Sequence, residues 1–185
     1  ACEQAGIQKI SDFNTGDNEG VSYFQVNQKD GLRWNTAKAF LRPAMKRSNL
    51  TVWTKTQTER VLLEGKQARA LVVHPKGSEP KTVGARREII LSAGSIGSPQ
   101  ILELSGIGGA NRLRDVGSQP VHDLPGVGEN LSDHLQIRAA FKVSGVQTLN
   151  TLSASLLGRA KMGMDFVFAR KGPLTMAPSQ LGVFC

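Results

Sequence analysis

Cysteine is almost missing from this chain: two residues in 185, Cys2 and Cys185, at opposite ends. They form no CxxC pair and no zinc-like spacing. Neither a disulfide framework nor a thiolate metal centre is expected, and a reducing, cytoplasmic setting is. No run of about 18 apolar residues occurs, so no spanning helix is expected. The first residues, Ala1-Cys-Glu-Gln-Ala-Gly6, carry neither Met nor an apolar signal core. Aromatics are only 5%. A complete glycine fingerprint is also lacking. Gly106-Ile-Gly108-Gly109 and Gly126-Val-Gly128 begin like GxGxxG, but the first follows a helix and the second has Leu131 at the last glycine position. No Walker-type Lys follows either, so an NAD-dependent dehydrogenase and a P-loop are disfavoured, and both clusters read as caps and turns.

What is present is the composition of a globular domain, with 39% hydrophobic and 21% charged residues. The formal net charge is +8. A basic module for nucleic acid or an anionic surface is therefore the rival reading from another class. Against it, the cations are scattered: Lys38, Arg42, Lys46 and Arg47, then Arg86 and Arg87, then Arg159, Lys161, Arg170 and Lys171. A solvated surface accounts for them, and no nucleic-acid partner is expected.

Several elements follow from pattern. Asp30-Gly31 marks a tight turn between segments Val21–Gln28 and Leu32–Trp34. Residues Thr36 to Lys46 read as helix, interrupted or restarted at Pro43. Thr51–Leu63 and Gln67–His74 read as strands joined at Glu64-Gly65, the first with a bend, and Arg86–Ser92 as a further strand. A short helix is expected at Ala110–Val116 and short strands at Gln119–Leu124 and Leu135–Val143. Leu152–Ala169 reads as one long amphipathic helix. Its basic residues suit a membrane surface, though an ordinary helix of a folded domain is the commoner use. Leu181–Cys185 looks like a strand, and the chain reads as a piece excised from a longer protein.

Gly94 to Gly108 is the most informative stretch. It follows Glu88-Ile-Ile-Leu-Ser92 through Ala93-Gly94 into a helix. Ser98 is expected as N-cap, Pro99 at the first helical position, and Gly106 as a stop with positive φ. Strand, small-residue turn and helix make half of a nucleotide-binding α/β unit, in which small side chains let a cofactor approach the backbone.

The pattern Gly-Ser-x-x-Ser-Pro-x-Ile-Leu-x-x-Ser-Gly-Ile-Gly resembles the second signature of the glucose–methanol–choline (GMC) flavoprotein oxidoreductases. Tyr23-Phe-Gln-Val26, Asn35 to Leu41, Asn49-Leu-Thr-Val52, Arg60-Val-Leu62 and Leu124 to His134 agree with the family's middle region. The likeness is of the choline-dehydrogenase kind. It implies an α/β (mixed α+β) fold: part of a Rossmann-like FAD-binding domain with a β-meander over residues 1–134, then the start of an antiparallel-sheet substrate domain over 135–185. It implies FAD as cofactor and an alcohol as substrate, oxidised by hydride transfer to flavin. Ser92, Ala93 and Gly94 would lie against the dinucleotide, and backbone groups of Val61 would meet the adenine. Asn130, with Asp133, would fix a loop near the cofactor. In the family the base is a His of the C-terminal portion, which this chain does not carry, so no catalytic residue and no metal ligand is assigned. His134, His74 and His122 are read as structural. Tyr23, Phe24 and Gln25 suit either the substrate region or an ordinary half-buried hairpin. With neighbouring strands missing, peripheral membrane association and self-association both stay open, and the chain alone is expected to be inactive.

Overall fold

The computed structural model describes residues 1–177 and 179–185. In chain order the strands are β1 (Gly20–Tyr23), β2 (Gln28–Lys29), β3 (Leu32–Arg33), β4 (Thr56–Glu64), β5 (Gln67–Pro75), β6 (Lys81–Gly84), β7 (Ile107–Gly108), β8 (His122–Asp123) and β9 (Leu181–Phe184). The helices are α1 (Arg42–Ala44), α2 (Gly94–Leu104), α3 (Ala110–Asp115), α4 (Leu149–Ala154) and α5 (Leu156–Ala169). The chain divides into two units, Ala1–Leu50 with Ala140–Cys185, and Thr51–Ala139. Mixed helix and sheet is the class expected of the sequence. Among the described residues no helix is long and apolar enough to cross a membrane.

In the first unit β1 pairs antiparallel with β9, setting Val21 opposite Val183. Phe13 closes over this pair, 5.5 Å from the Phe24 ring and 4.9 Å from that of Phe184. Gln25 accepts a hydrogen bond from the Asn14 side chain, while Tyr23 is exposed. Asp12 accepts the backbone N–H of Asn14 at 2.8 Å, which holds its carboxyl below the usual carboxylate value. The expected Asp30-Gly31 turn joins β2 to β3, with φ of 50° and 69°, the left-handed pair of a type I′ hairpin. The segment around Pro43 is helical but widened. Over Ala37–Leu41 it is a π-turn in which the Arg42 N–H reaches back to the Ala37 carbonyl, and α1 follows with Pro43 in its first turn.

The long helix expected over Leu152–Ala169 is two helices. Thr148 caps α4 through a reciprocal bond pair with Thr151. Ser155, extended at ψ 148°, breaks the chain and caps α5 by accepting from the Gly158 N–H at 3.0 Å. A serine competes for backbone donors and starts a helix better than it continues one.

In the second unit β4, β5 and β6 form an antiparallel meander. The expected bend in β4 is a register shift between Thr58 and Arg60. Val61, Ala70, Val72, Val73, Ile101 and Leu113 are the buried apolar residues of this unit. The short parallel pair β7–β8 follows α2, and Leu113 of α3 packs over Gly108. Two expected strands are absent. Arg86–Ser92 and Leu135–Val143 are not paired into any sheet. Ile90, Leu135, Ile137 and Phe141 are 75%, 98%, 91% and 84% exposed. Both segments have strand-like composition, but a strand exists only where a neighbour takes up its backbone groups.

Leu113 is 1% exposed, the most completely buried large side chain described. Leu113→Ala is expected to destabilise the Thr51–Ala139 unit by about 2–5 kcal/mol, measured by urea unfolding. A change below about 0.5 kcal/mol would mean that α3 is not packed as described.

Candidate functional site

Everything assigned to the candidate site lies in the Thr51–Ala139 unit, arranged around α2. The helix begins at Gly94, whose φ is +85°, with Ala93 as N-cap. This corrects the expected cap: Ser98 and Pro99 lie inside the helix. Ser98 instead accepts the Ala93 N–H at 3.0 Å, which folds the turn back onto the helix. No side chain caps the helix N-terminus. Ser92, Ala93 and Gly94 are exposed, and a Cβ built on Gly94 would meet nothing within 4 Å. The open backbone donors of a first turn, beside three small residues, suit an anionic group at close range.

A groove of about 690 Å³ runs beside α2, between Ser95, Ile96, Pro99, Leu102 and Glu103 on one wall and Gly126 to Ser132 on the other. Asn130 lines it in the left-handed conformation, φ 57°. The loop is held against the helices by charge. Arg112 of α3 lies 3.1 Å from Glu103 of α2 and 3.4 Å from Glu129 of the loop. Gly128, at φ +78°, passes so near Glu103 that a Cβ there would stand 3.4 Å from its Oε1. Glu103 Oε1 is buried without a well-directed hydrogen bond, so the Arg112 charge is its compensation.

Val61 lies elsewhere. It belongs to β4 at the C-terminal end of α2, and eleven residues at about 1.5 Å each separate the helix ends by roughly 16 Å. Its N–H donates to Ser105 Oγ at 2.8 Å, and the Ser105 hydroxyl donates to the Ile101 carbonyl at 2.5 Å. Val61, Leu104, Ser105, Gly106 and Gln119 line a second cleft of about 510 Å³. Gly106 is the expected stop, φ +81°. A side chain there would collide with the Gln119 carbonyl at 2.6 Å, and its own carbonyl receives the N–H groups of Val121 and His122.

The sequence-predicted residues therefore fall in three places. Ser92, Ala93 and Gly94 stand at the start of α2, Asn130 lines the groove along its side from Ser95 to Glu103, and Val61 stands at its far end. Ser105, Glu103 and Arg112 were missed. Ser105 stood inside the quoted signature, but its partner Val61 is 44 positions away. Of the histidines, His74 pairs with Glu59, while His122 and His134 are exposed. Among the described residues no three His, Cys, Asp or Glu side chains gather as a metal ion would need.

An uncapped helix start beside three exposed small residues leaves room for an anionic group to approach the backbone closely. Comparison with known proteins makes this specific. A family model described as GMC oxidoreductase matches residues 1–136. The chain belongs to the GMC oxidoreductase family. An oxygen-dependent choline dehydrogenase of Photobacterium profundum is 41% identical over 172 residues, covering 93% of this chain and 30% of that protein. An alcohol dehydrogenase (acceptor) of Pseudomonas putida is 39% identical, covering 98% of this chain and 34% of that protein. Among solved structures, an FAD-dependent oxidoreductase from Chaetomium thermophilum superposes with TM-score 0.86 at 26% identity, over 97% of this chain and 32% of that one. The chain spans about a third of the length of the curated relatives it matches. Family and fold together indicate FAD as the cofactor, and the open start of α2 fits it.

Arg112→Met is expected to free the loop. The amides of Val127 and Glu129 should exchange with deuterium several-fold faster, and global stability should fall by about 1–3 kcal/mol, because Glu103 Oε1 is left buried without its compensating charge. Unchanged exchange would show that the loop is held by something other than this charge bridge.

Proposed function

We propose that this chain is the middle portion of an FAD-dependent alcohol oxidoreductase. With FAD bound, the longer protein would oxidise an alcohol to an aldehyde or ketone, the cofactor accepting the hydride. The substrate is a primary alcohol, choline-like or other. The observation that carries the reading is the open, uncapped start of α2 beside Ser92-Ala93-Gly94, in a chain of this family. The cofactor supplies the hydride-accepting chemistry. The residues of this chain hold and orient it: Ser92, Ala93 and Gly94 offer close backbone approach, Asn130 closes the groove wall, and the Val61 backbone meets the adenine.

Residues 1–134 are assigned to the FAD-binding domain and 135–185 to the beginning of the substrate domain. The end of the family match at residue 136 supports this division, whereas the pairing of β1 with β9 groups Ala1–Leu50 with Ala140–Cys185. A cytoplasmic setting, a peripheral membrane contact and self-association belong to the same proposal. The large apolar side chains left exposed on α5, Leu156, Leu157 and Phe168 among them, favour the last two.

A longer product carrying this segment is expected to show flavin absorbance that bleaches on anaerobic addition of a primary alcohol. A folded but colourless product would contradict the reading and favour the basic binding module. The 185-residue chain alone carries no phosphate-binding glycine fingerprint. It is expected to bind FAD more weakly than micromolar and to turn over no alcohol. Stoichiometric micromolar binding in a fluorescence titration would overturn that expectation.

A further inference from the structure

The start of β4 and the end of β5 form a cationic cleft that shares no residue with the cleft at Val61. It encloses about 450 Å³ and is lined by Lys55, Thr56, Gln57, His74 and Lys76, none of them acidic. Gln57 stands opposite His74 in the β4–β5 register, so their side chains share one face of the sheet. One step beyond, the Lys76 N–H donates to the Lys55 carbonyl at 2.9 Å, which carries the pairing outward and brings the two lysines together. The carboxylate that meets His74 is Glu59, and both its oxygens are engaged, one by His74 and one by Arg60. Among the described residues neither Lys55 nor Lys76 has an acidic partner.

Lys55 holds a left-handed φ of 54°. Glycine or asparagine adopts this conformation more readily than a residue with a long side chain. The other non-glycine residues at positive φ have local reasons. Asp30 and Asn130 are of the types that tolerate it, and Arg170 ends α5 with its guanidinium 4.9 Å from the Phe166 ring centre. Lys55 makes neither an ion pair nor a ring contact among the described residues. Here a lysine occupies a position that suits glycine, and its charge is unmet within its own unit. Such an outlier argues for a counter-charge from outside.

We propose that Lys55, Lys76 and Gln57 form an anion site, separate from the start of α2, for the phosphate group of a phosphomonoester. Such a group carries about two negative charges at neutral pH, which two ammonium groups match. The Gln57 amide gives one N–H to the Thr58 carbonyl and keeps a second for a phosphate oxygen.

The test titrates inorganic phosphate into the 185-residue chain at constant ionic strength, with the amides followed by NMR. Those of Lys55, Gln57 and Lys76 should shift along one saturating curve. Lys55→Gly should weaken binding roughly fivefold, the effect of one unit charge at contact distance in water. Its urea midpoint should stay at or above the parental value, because glycine suits this φ. Lys76→Met should weaken binding similarly, while Lys161→Met on α5 should change nothing. Phosphatidylcholine vesicles with and without phosphatidic acid separate the sources. Sedimentation with the phosphatidic acid vesicles, lost in Lys55→Gly, assigns a lipid headgroup; phosphate binding without sedimentation assigns a soluble phosphoester. Shifts confined to Gly94 and its neighbours would place the anion at the start of α2 and overturn the inference. Equal weakening by Lys161→Met would also overturn it, as diffuse attraction by the net charge of +8 predicts. So would the absence of any shift at Lys55 and Lys76 with millimolar phosphate.

Discussion

A hydroxyl that joins a strand to a helix holds the Thr51–Ala139 unit in its working shape. The Val61 N–H is buried, and a buried backbone donor left without a partner costs about 1–3 kcal/mol. Ser105 supplies the partner and passes its own proton to the Ile101 carbonyl, so β4 and the last turn of α2 are tied by two consecutive bonds. The helix can then present two different ends: an open N-terminus beside Ser92-Ala93-Gly94, and a C-terminal end closed over the edge of β4. Gly106 makes the junction feasible by turning the chain with positive φ where no side chain fits. Beyond it the parallel pair β7–β8 and the Leu113 contact follow.

Electrostatics then shapes the groove. Arg112 between Glu103 and Glu129 draws the Gly126–Ser132 loop against α2, through an exposed pair with Glu129 and a compensating charge for the buried Glu103 Oε1. It places Asn130 along the wall of a groove whose other wall is the side of α2 from Ser95 to Glu103. The start of α2 carries a local partial positive charge, whereas the net charge of +8 is spread over the surface.

Features fixed by a few adjacent residues were legible in the sequence. The Asp30-Gly31 turn, the Gly106 stop, the β4–β5 hairpin with its bend, and the Ala110 helix all follow from local chemistry. Those that depend on a distant partner were not. Arg86–Ser92 and Leu135–Val143 have the composition of strands, but no neighbouring strand meets them, and their apolar side chains stand in solvent. The two-helix break at Ser155 was hidden by an unbroken apolar period. In the candidate site, the small residues at the start of α2 and the Gly-rich loop with Asn130 could be picked out by type. The Ser105–Val61 bond spans 44 positions and the Arg112–Glu129 arm of the bridge 17, and neither leaves a periodic signal.

Under the proposed function one dinucleotide would lie along α2 and meet both of its ends. The most direct measurement is a residue-resolved NMR titration of the chain with FAD. The account predicts that the amides of Gly94, Asn130 and Val61 shift together along a single binding curve, while those near Lys38 and Arg42 stay still. Shifts confined to the basic surface, or separate curves for Gly94 and Val61, would contradict it.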